Sequence, residues 1–181
     1  MLTRRTLLSC AMASLALPRM TLANTSVANG TLTTIRDGHL VLPQAFFFAD
    51  LPQDELAPIL AAHGVEGDML EPPCNVTLFR DGENTVLFDA GAGTEFQPTT
   101  GQLLDGLDAV GVAPEDITHV ILTHAHPDHL WGVLDDFGDP LFTEAAHFIG
   151  RDEWDYWTNP ATVDEIGEAR QAFAVGAARR L

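Results

Sequence analysis

The sequence predicts a mixed α/β fold in which helices cover a sheet, as in one half of a layered sandwich. Three observations support this prediction. Two Asp-Gly pairs, Asp37-Gly38 and Asp81-Gly82, each separate two short β-prone segments, which is typical of hairpins. Further along, segments with apolar residues at helical spacing alternate with short apolar, β-branched runs. The composition, with 46 % apolar and 19 % charged residues, is that of a globular protein and argues against disorder.

The periodicity then predicts the elements in chain order. A first hairpin is expected from 32–35 and 39–42, a helix over 52–62 with Gly64 at its end, and a second hairpin from 75–80 and 85–89. The later elements are a helix over 103–110, strands over 120–122 and 146–149, an aromatic helix over 152–157 and a longer helix over 163–178. Two hairpins followed by alternating helices and strands indicate one domain.

Residues 1–23 are predicted to be an export signal. Arg4 and Arg5 precede an uncharged stretch that is too short to span a bilayer, and their order resembles a twin-arginine signal. Small residues predict cleavage after Ala23, with Ala28 as the alternative. We therefore expect a periplasmic or secreted protein with no stable membrane anchor after cleavage, whose domain is 24–181. Its single remaining cysteine, Cys74, allows no intramolecular disulfide.

The charge excludes one class of partner. The chain has 26 acidic and 9 basic residues, and its formal charge of -17 repels phosphate backbones. Nucleic acid is therefore not expected as a partner. The expected partner is a small-molecule substrate, for the reasons that the motif below provides. Charge alone does not indicate an oligomeric state.

Four candidate metal ligands, His124, His126, Asp128 and His129, lie together directly after the apolar run at 120–122. Imidazole and carboxylate groups are ligands of Zn²⁺. In an extended segment His124 and His126 leave the backbone on the same side. Pro127 then turns the chain, so that Asp128 and His129 can face a second position roughly 3.5 to 4 Å from the first. The cluster predicts a two-metal site.

This H-x-H-x-D-H spacing, followed by Gly132, resembles the signature of the metallo-β-lactamase superfamily. The resemblance extends to the hairpin that ends at Asp89 and to the pair Glu153-Trp154. It implies an αββα sandwich with metals at one edge, most often two Zn²⁺, with Fe or Mn as alternatives. By position, the two residues His124 and His126 match ligands of the first metal. Asp128 and His129 match ligands of the second.

Two further residues are interpreted through the same resemblance. Asp89 matches a buried acid that supports the metal loop, although a plain turn residue is the alternative on sequence alone. Trp131 replaces the glycine that is commoner at its position. It either shapes the substrate pocket or packs in the core. Trp154, Tyr156 and Trp157 likewise either line a substrate opening or pack together.

The order of features resembles the branch that contains acyl-homoserine lactonases and methyl parathion hydrolase. The resemblance implies a metal-dependent hydrolase that uses a metal-bound hydroxide on a lactone, ester or phosphotriester, with Asp128 also orienting the nucleophile. A β-lactamase and a mononuclear iron sulfur dioxygenase are alternative enzymes with similar motifs. A metal-binding interaction domain is the non-enzymatic alternative.

Members of this superfamily need three more ligands, which are a third His, a bridging carboxylate and a last His. No His follows His147, and the later acids lie in helical stretches too close to the motif. We therefore expect the remaining ligands beyond Leu181. The chain is expected to be the N-terminal part of the domain, with the fold truncated after roughly its first half and little activity on its own.

Overall fold

The structure is a computed structural model that describes residues 24–181, so the predicted export signal lies outside the described residues. The strands are β1 (Asn24–Val27), β2 (Gly30–His39), β3 (Leu42–Pro43), β4 (Met69–Leu70), β5 (Pro73–Arg80), β6 (Thr85–Phe88), β7 (His119–Leu122) and β8 (Ala146–Ile149). Six of them form one sheet in the order β1-β2-β5-β6-β7-β8, and β3 pairs with β4 in a separate ribbon.

The α-helices are short, and several are single turns. They are α1 (Ala45–Phe48), α2 (Gln53–Ala62), α3 (Leu103–Ala109), α4 (Pro127–Leu130), α5 (Arg151–Trp157), α6 (Thr162–Glu165) and α7 (Gln171–Arg180). Further 3₁₀ turns occupy Pro114–Asp116, Trp131–Val133 and Glu168–Arg170. No helix within residues 24–181 is both long and apolar enough to cross a membrane.

The sheet changes from antiparallel to parallel at β6. Strands β1, β2, β5 and β6 pair antiparallel, whereas β7 is parallel to both β6 and β8. A parallel pair needs a crossover connection. Helix α3 lies in the crossover between β6 and β7. The crossover between β7 and β8 begins with the histidine-rich motif, which places that motif at the carboxyl end of β7.

One face of the sheet packs against the helices. In β5 the buried residues Cys74, Val76 and Leu78 alternate with more exposed neighbours, as expected for a strand with one covered face. Leu107 of α3 is fully buried in the same core. Burying a leucine side chain of this kind contributes roughly 2 kcal/mol. Cys74 is a buried free thiol.

The predicted first hairpin is wrong. Strand β2 continues through Asp37 and Gly38 with a register irregularity, and it pairs with β1 and β5. The Asp37 carboxylate is buried and accepts hydrogen bonds from the backbone N–H groups of Ala92 and Leu103, at 2.8 and 2.9 Å. Asp37 therefore holds the loop after β6 and the start of α3 against the strand instead of forming a turn.

The predicted long helix over 163–178 is also wrong. Gly167 has a φ of +89°, a left-handed conformation that interrupts an α-helix. The segment is therefore split into α6, a 3₁₀ turn and α7. Of the apolar face predicted for this helix, Ala177 is buried and Phe173 is partly buried, whereas Ala169 is exposed.

The other predicted elements are present with small shifts at their ends. The structure contains the second hairpin as β5 and β6, the predicted helices as α2, α3 and α5, and the later strands as β7 and β8. The predicted mixed α/β fold is confirmed.

Candidate metal centre

The histidine-rich motif begins where β7 ends and continues into α4. His126 is extended, with φ −66° and ψ 157°, because the residue before a proline is disfavoured in the helical region. Pro127 then occupies the first position of α4, where its missing N–H is not needed. As a result, His124 and His126 lie on a loop, and Asp128 and His129 lie on the first turn of a helix.

The structure brings all four predicted ligands together. The ring of His124 lies 3.9 Å from that of His129 and 4.6 Å from that of His126, measured between centroids. The Nε2 atom of His124 is 3.2 Å from Nδ1 of His126. The Nε2 atom of His129 is 3.3 Å from Oδ2 of Asp128. These contacts join the donor atoms in pairs.

The donor side chains contact one another in pairs and do not surround a common point. Within residues 24–181, no group of three or more His, Cys, Asp or Glu side chains is positioned to hold a metal ion. The chemistry of the donor set nevertheless fits zinc, because three imidazoles and a carboxylate are ligands that it accepts. The assignment of these four residues as metal ligands stays a prediction.

Asp89 connects the end of β6 to both ends of the motif. Its Oδ2 atom lies 2.8 Å from Nδ1 of His129, and its Oδ1 atom accepts a 2.7 Å hydrogen bond from the backbone N–H of Thr123. Asp89 has a φ of +66°, which is uncommon for a residue other than glycine. Asp89 is therefore more than a turn residue, because its carboxylate contacts both Thr123 and His129. The carboxylate orients the His129 ring and leaves Nε2 facing Asp128.

Burial and neighbouring charges shift the pKa values of the four residues. Burial, followed by the charge of a neighbouring imidazole, lowers the pKa of His124 and of His126. Burial acts to raise the pKa of Asp128, but the hydrogen bond and charge of His129 outweigh it and lower the pKa. Burial opposes protonation of His129, yet hydrogen bonds to Asp128 and Asp89 raise its pKa to about 9.

These shifts define the charge of the cluster without metal. Near neutral pH, His124 and His126 are neutral and offer nitrogen lone pairs, while Asp128 is ionised. His129 is protonated between two carboxylates and must lose that proton before Nε2 can bind a cation.

Glu153 has a role at this site that the sequence analysis did not predict, although the resemblance extends to the pair Glu153-Trp154. It lies in the first turn of α5, and its Oε2 atom accepts hydrogen bonds from the backbone N–H of Ala125, at 3.0 Å, and from Nε1 of Trp157, at 2.8 Å. Ala125 separates His124 from His126 in the chain. The metal loop is therefore held by two acids, Asp89 before it in the sequence and Glu153 after it. In the sequence, only the four-residue spacing of Glu153 and Trp157 on a predicted helix indicates their hydrogen bond.

The aromatic residues around the motif mainly pack. Trp131 contacts Phe96, with ring centroids 5.4 Å apart, and it lies against Gly176 of α7, so the core alternative agrees with the structure. Trp157 is buried and lies 5.7 Å from the ring of His126. Trp154 and Tyr156 are each exposed over somewhat less than half of their surface.

Comparison with known proteins agrees with this fold. Residues 70–135 match the model of the metallo-beta-lactamase superfamily, a segment that includes β5, β6, α3, β7 and the complete motif. The resemblance predicted from the motif is thus confirmed, and the fold is similar to that of a solved hydrolase of the beta lactamase superfamily.

Two solved structures are similar over most of the chain. A hydrolase of the beta lactamase superfamily, AbOPH, has a TM-score of 0.76 at 27 % identity, over 88 % of this chain and 54 % of that one. The dizinc quorum-quenching lactonase AidC, bound to its product, has a TM-score of 0.73 at 27 % identity, over 88 % and 60 %.

A curated relative matches a shorter region. The metallo-beta-lactamase domain-containing protein 1 of Xenopus laevis is 39 % identical over 50 % of this chain and 34 % of its own length. The chain therefore spans about a third of this relative and somewhat more than half of the two solved structures.

Proposed function

We propose that the protein is a zinc-dependent hydrolase that opens a lactone, a related ester or a phosphotriester. The observation that carries this proposal is the cluster of His124, His126, Asp128 and His129 at the carboxyl end of β7, supported by Asp89. The similar structure of a dizinc lactonase favours zinc as the metal and a lactone as the substrate class.

The roles of the four residues are those that the resemblance implies, and the lowered pKa values of His124, His126 and Asp128 support them. His124 and His126 would bind the first cation through neutral imidazoles, and Asp128 and His129 would bind the second. Bound zinc lowers the pKa of water toward neutrality and polarises the carbonyl or phosphoryl oxygen of the substrate. Asp128 would also accept a hydrogen bond from the attacking water at a carboxylate oxygen. Asp89 would hold the His129 ring in place after its proton leaves.

The experiment compares full-length, zinc-loaded protein on an acyl-homoserine lactone, a phosphotriester and a cephalosporin. We expect the lactone to be hydrolysed fastest, and we expect His126→Ala to abolish turnover. His63→Ala, which alters an exposed histidine after α2, is the matched control and should keep full activity. Turnover that survives in His126→Ala would contradict the proposal, as would the absence of turnover on every substrate.

The same experiment separates the alternative enzymes. Preferred hydrolysis of the cephalosporin would instead indicate a β-lactamase. Metal analysis that found one iron per chain, together with oxidation of a persulfide, would indicate a sulfur dioxygenase.

A further inference from the structure

An apolar cavity of about 220 Å³ lies beside the candidate metal centre. His126 and Asp128 form part of its wall, so a molecule in the cavity is next to the residues that would carry out the chemistry. The remaining wall is mainly hydrophobic and comes from β3, α1, α7 and two loop residues. The apolar residues are Leu40, Leu42, Phe46, Phe47, Phe96 and Phe173.

Arg170 is the single arginine in the wall of this cavity, which contains no lysine. It ends the 3₁₀ turn Glu168–Arg170, and its Cζ atom lies 5.5 Å from the ring centroid of Phe46. This cation–π contact holds the guanidinium over an aromatic face and leaves its N–H groups available.

Arg170 also differs from the other arginines near the C-terminus. Arg179 and Arg180 both form ion pairs with Glu95. Among residues 24–181, the ion pairs include no carboxylate partner for Arg170. What distinguishes Arg170 is its place in the wall of an apolar cavity beside the candidate metal centre. Planar guanidinium groups of this kind bind carboxylate, sulfonate or phosphate oxygens in pairs.

We propose that this cavity binds an apolar chain that carries an anionic group, and that Arg170 selects substrates by donating hydrogen bonds to that group. The proposal rests on the proposed hydrolase function and names its substrate class, an acidic amphipathic lactone or ester.

The test measures binding of two probes to zinc-loaded protein by titration calorimetry. Octanesulfonate is anionic and a poor zinc ligand, and octyl methyl sulfone is its neutral counterpart of similar shape. We expect the wild-type protein to bind the sulfonate about tenfold more tightly than the sulfone. Arg170→Gln should remove this preference, and Arg170→Lys should keep part of it. Arg151→Gln, which removes the same charge from an exposed position of α5, should leave the preference unchanged.

Several results would overturn the proposal. These are equal binding of the two probes by the wild type, binding of neither probe, and an anion preference that persists in Arg170→Gln. Activity is recorded separately on the lactone. Loss of turnover on every substrate with an intact anion preference would refute the hydrolase function alone. Hydrolysis without any anion preference would refute the role of Arg170 alone.

Discussion

Replacing Asp89 with Asn is expected to lower the pKa of His129 and to destabilise the zinc-free protein. The pKa of His129 is raised from 6.5 to about 9, although burial opposes the charged form, because Asp128 and Asp89 both accept hydrogen bonds from the ring. At 1.36 kcal/mol per pKa unit, this shift corresponds to roughly 3 kcal/mol. Asp89→Asn removes one of the two carboxylates, so we expect a loss of about 1 to 2 kcal/mol.

The loss should depend on pH in a defined direction. The pKa of His129 in the folded state lies above its unfolded value of 6.5. Its contribution to stability is therefore complete below the unfolded pKa and disappears as the pH rises through about 9. Urea unfolding of zinc-free protein should show the full difference between wild type and Asp89→Asn at about pH 6 and a smaller difference at about pH 10.

A direct titration and a matched variant complete this test. NMR of the His129 ring should show a pKa near 9 in the wild type and a value closer to 6.5 in Asp89→Asn. Asp108→Asn makes the same chemical change at an exposed position of α3 and should leave both quantities unchanged. The reasoning is refuted if His129 titrates near 6.5 in the wild type, or still near 9 in Asp89→Asn.

Two further predictions concern the packing of the metal loop. Gly132→Ala should cost about 2 kcal/mol or more, because the new Cβ would clash with the Ala90 carbonyl oxygen. Gly150→Ala, with no neighbour within 4 Å, should cost less than about 0.5 kcal/mol, and equal urea midpoints would contradict the contact. Glu153→Ala should cost roughly 2 kcal/mol, because two N–H donors lose their acceptor. Glu153→Ala should also speed hydrogen exchange of the Ala125 amide. Asp152→Ala is the control and should change neither stability nor exchange. Unchanged exchange in Glu153→Ala would contradict the role of Glu153 in holding the metal loop.

Local patterns predicted the elements whose cause is local. The alternation in β5 and the apolar run in β7 identify strands, because the positions that face the core must carry apolar side chains. The spacing within α3 identifies a helix for the same reason. These signals required no knowledge of distant contacts.

The two Asp-Gly pairs show where such prediction fails. Asp81 accepts hydrogen bonds from the nearby backbone N–H groups of Glu83 and Asn84, which stabilise a turn. Asp37 has the same local sequence, but its carboxylate binds N–H groups 55 and 66 residues away. Only the tertiary structure distinguishes the two cases.

The candidate site divides in a similar way. His124, His126, Asp128 and His129 are adjacent in sequence, so their clustering was predictable from spacing and from the proline between them. The contacts of Glu153 depend on where α5 packs, and those of Arg170 depend on the turn after Gly167. Neither arrangement is visible in the sequence.

Zinc binding by the motif is the most direct test of the whole account. Titration of metal-free protein with zinc, followed by calorimetry and checked by elemental analysis, should show specific binding in the wild type and in His63→Ala. His126→Ala should lose that binding while it retains its folded circular dichroism spectrum. Absence of specific binding in the wild type, or unchanged binding in His126→Ala, would contradict the account.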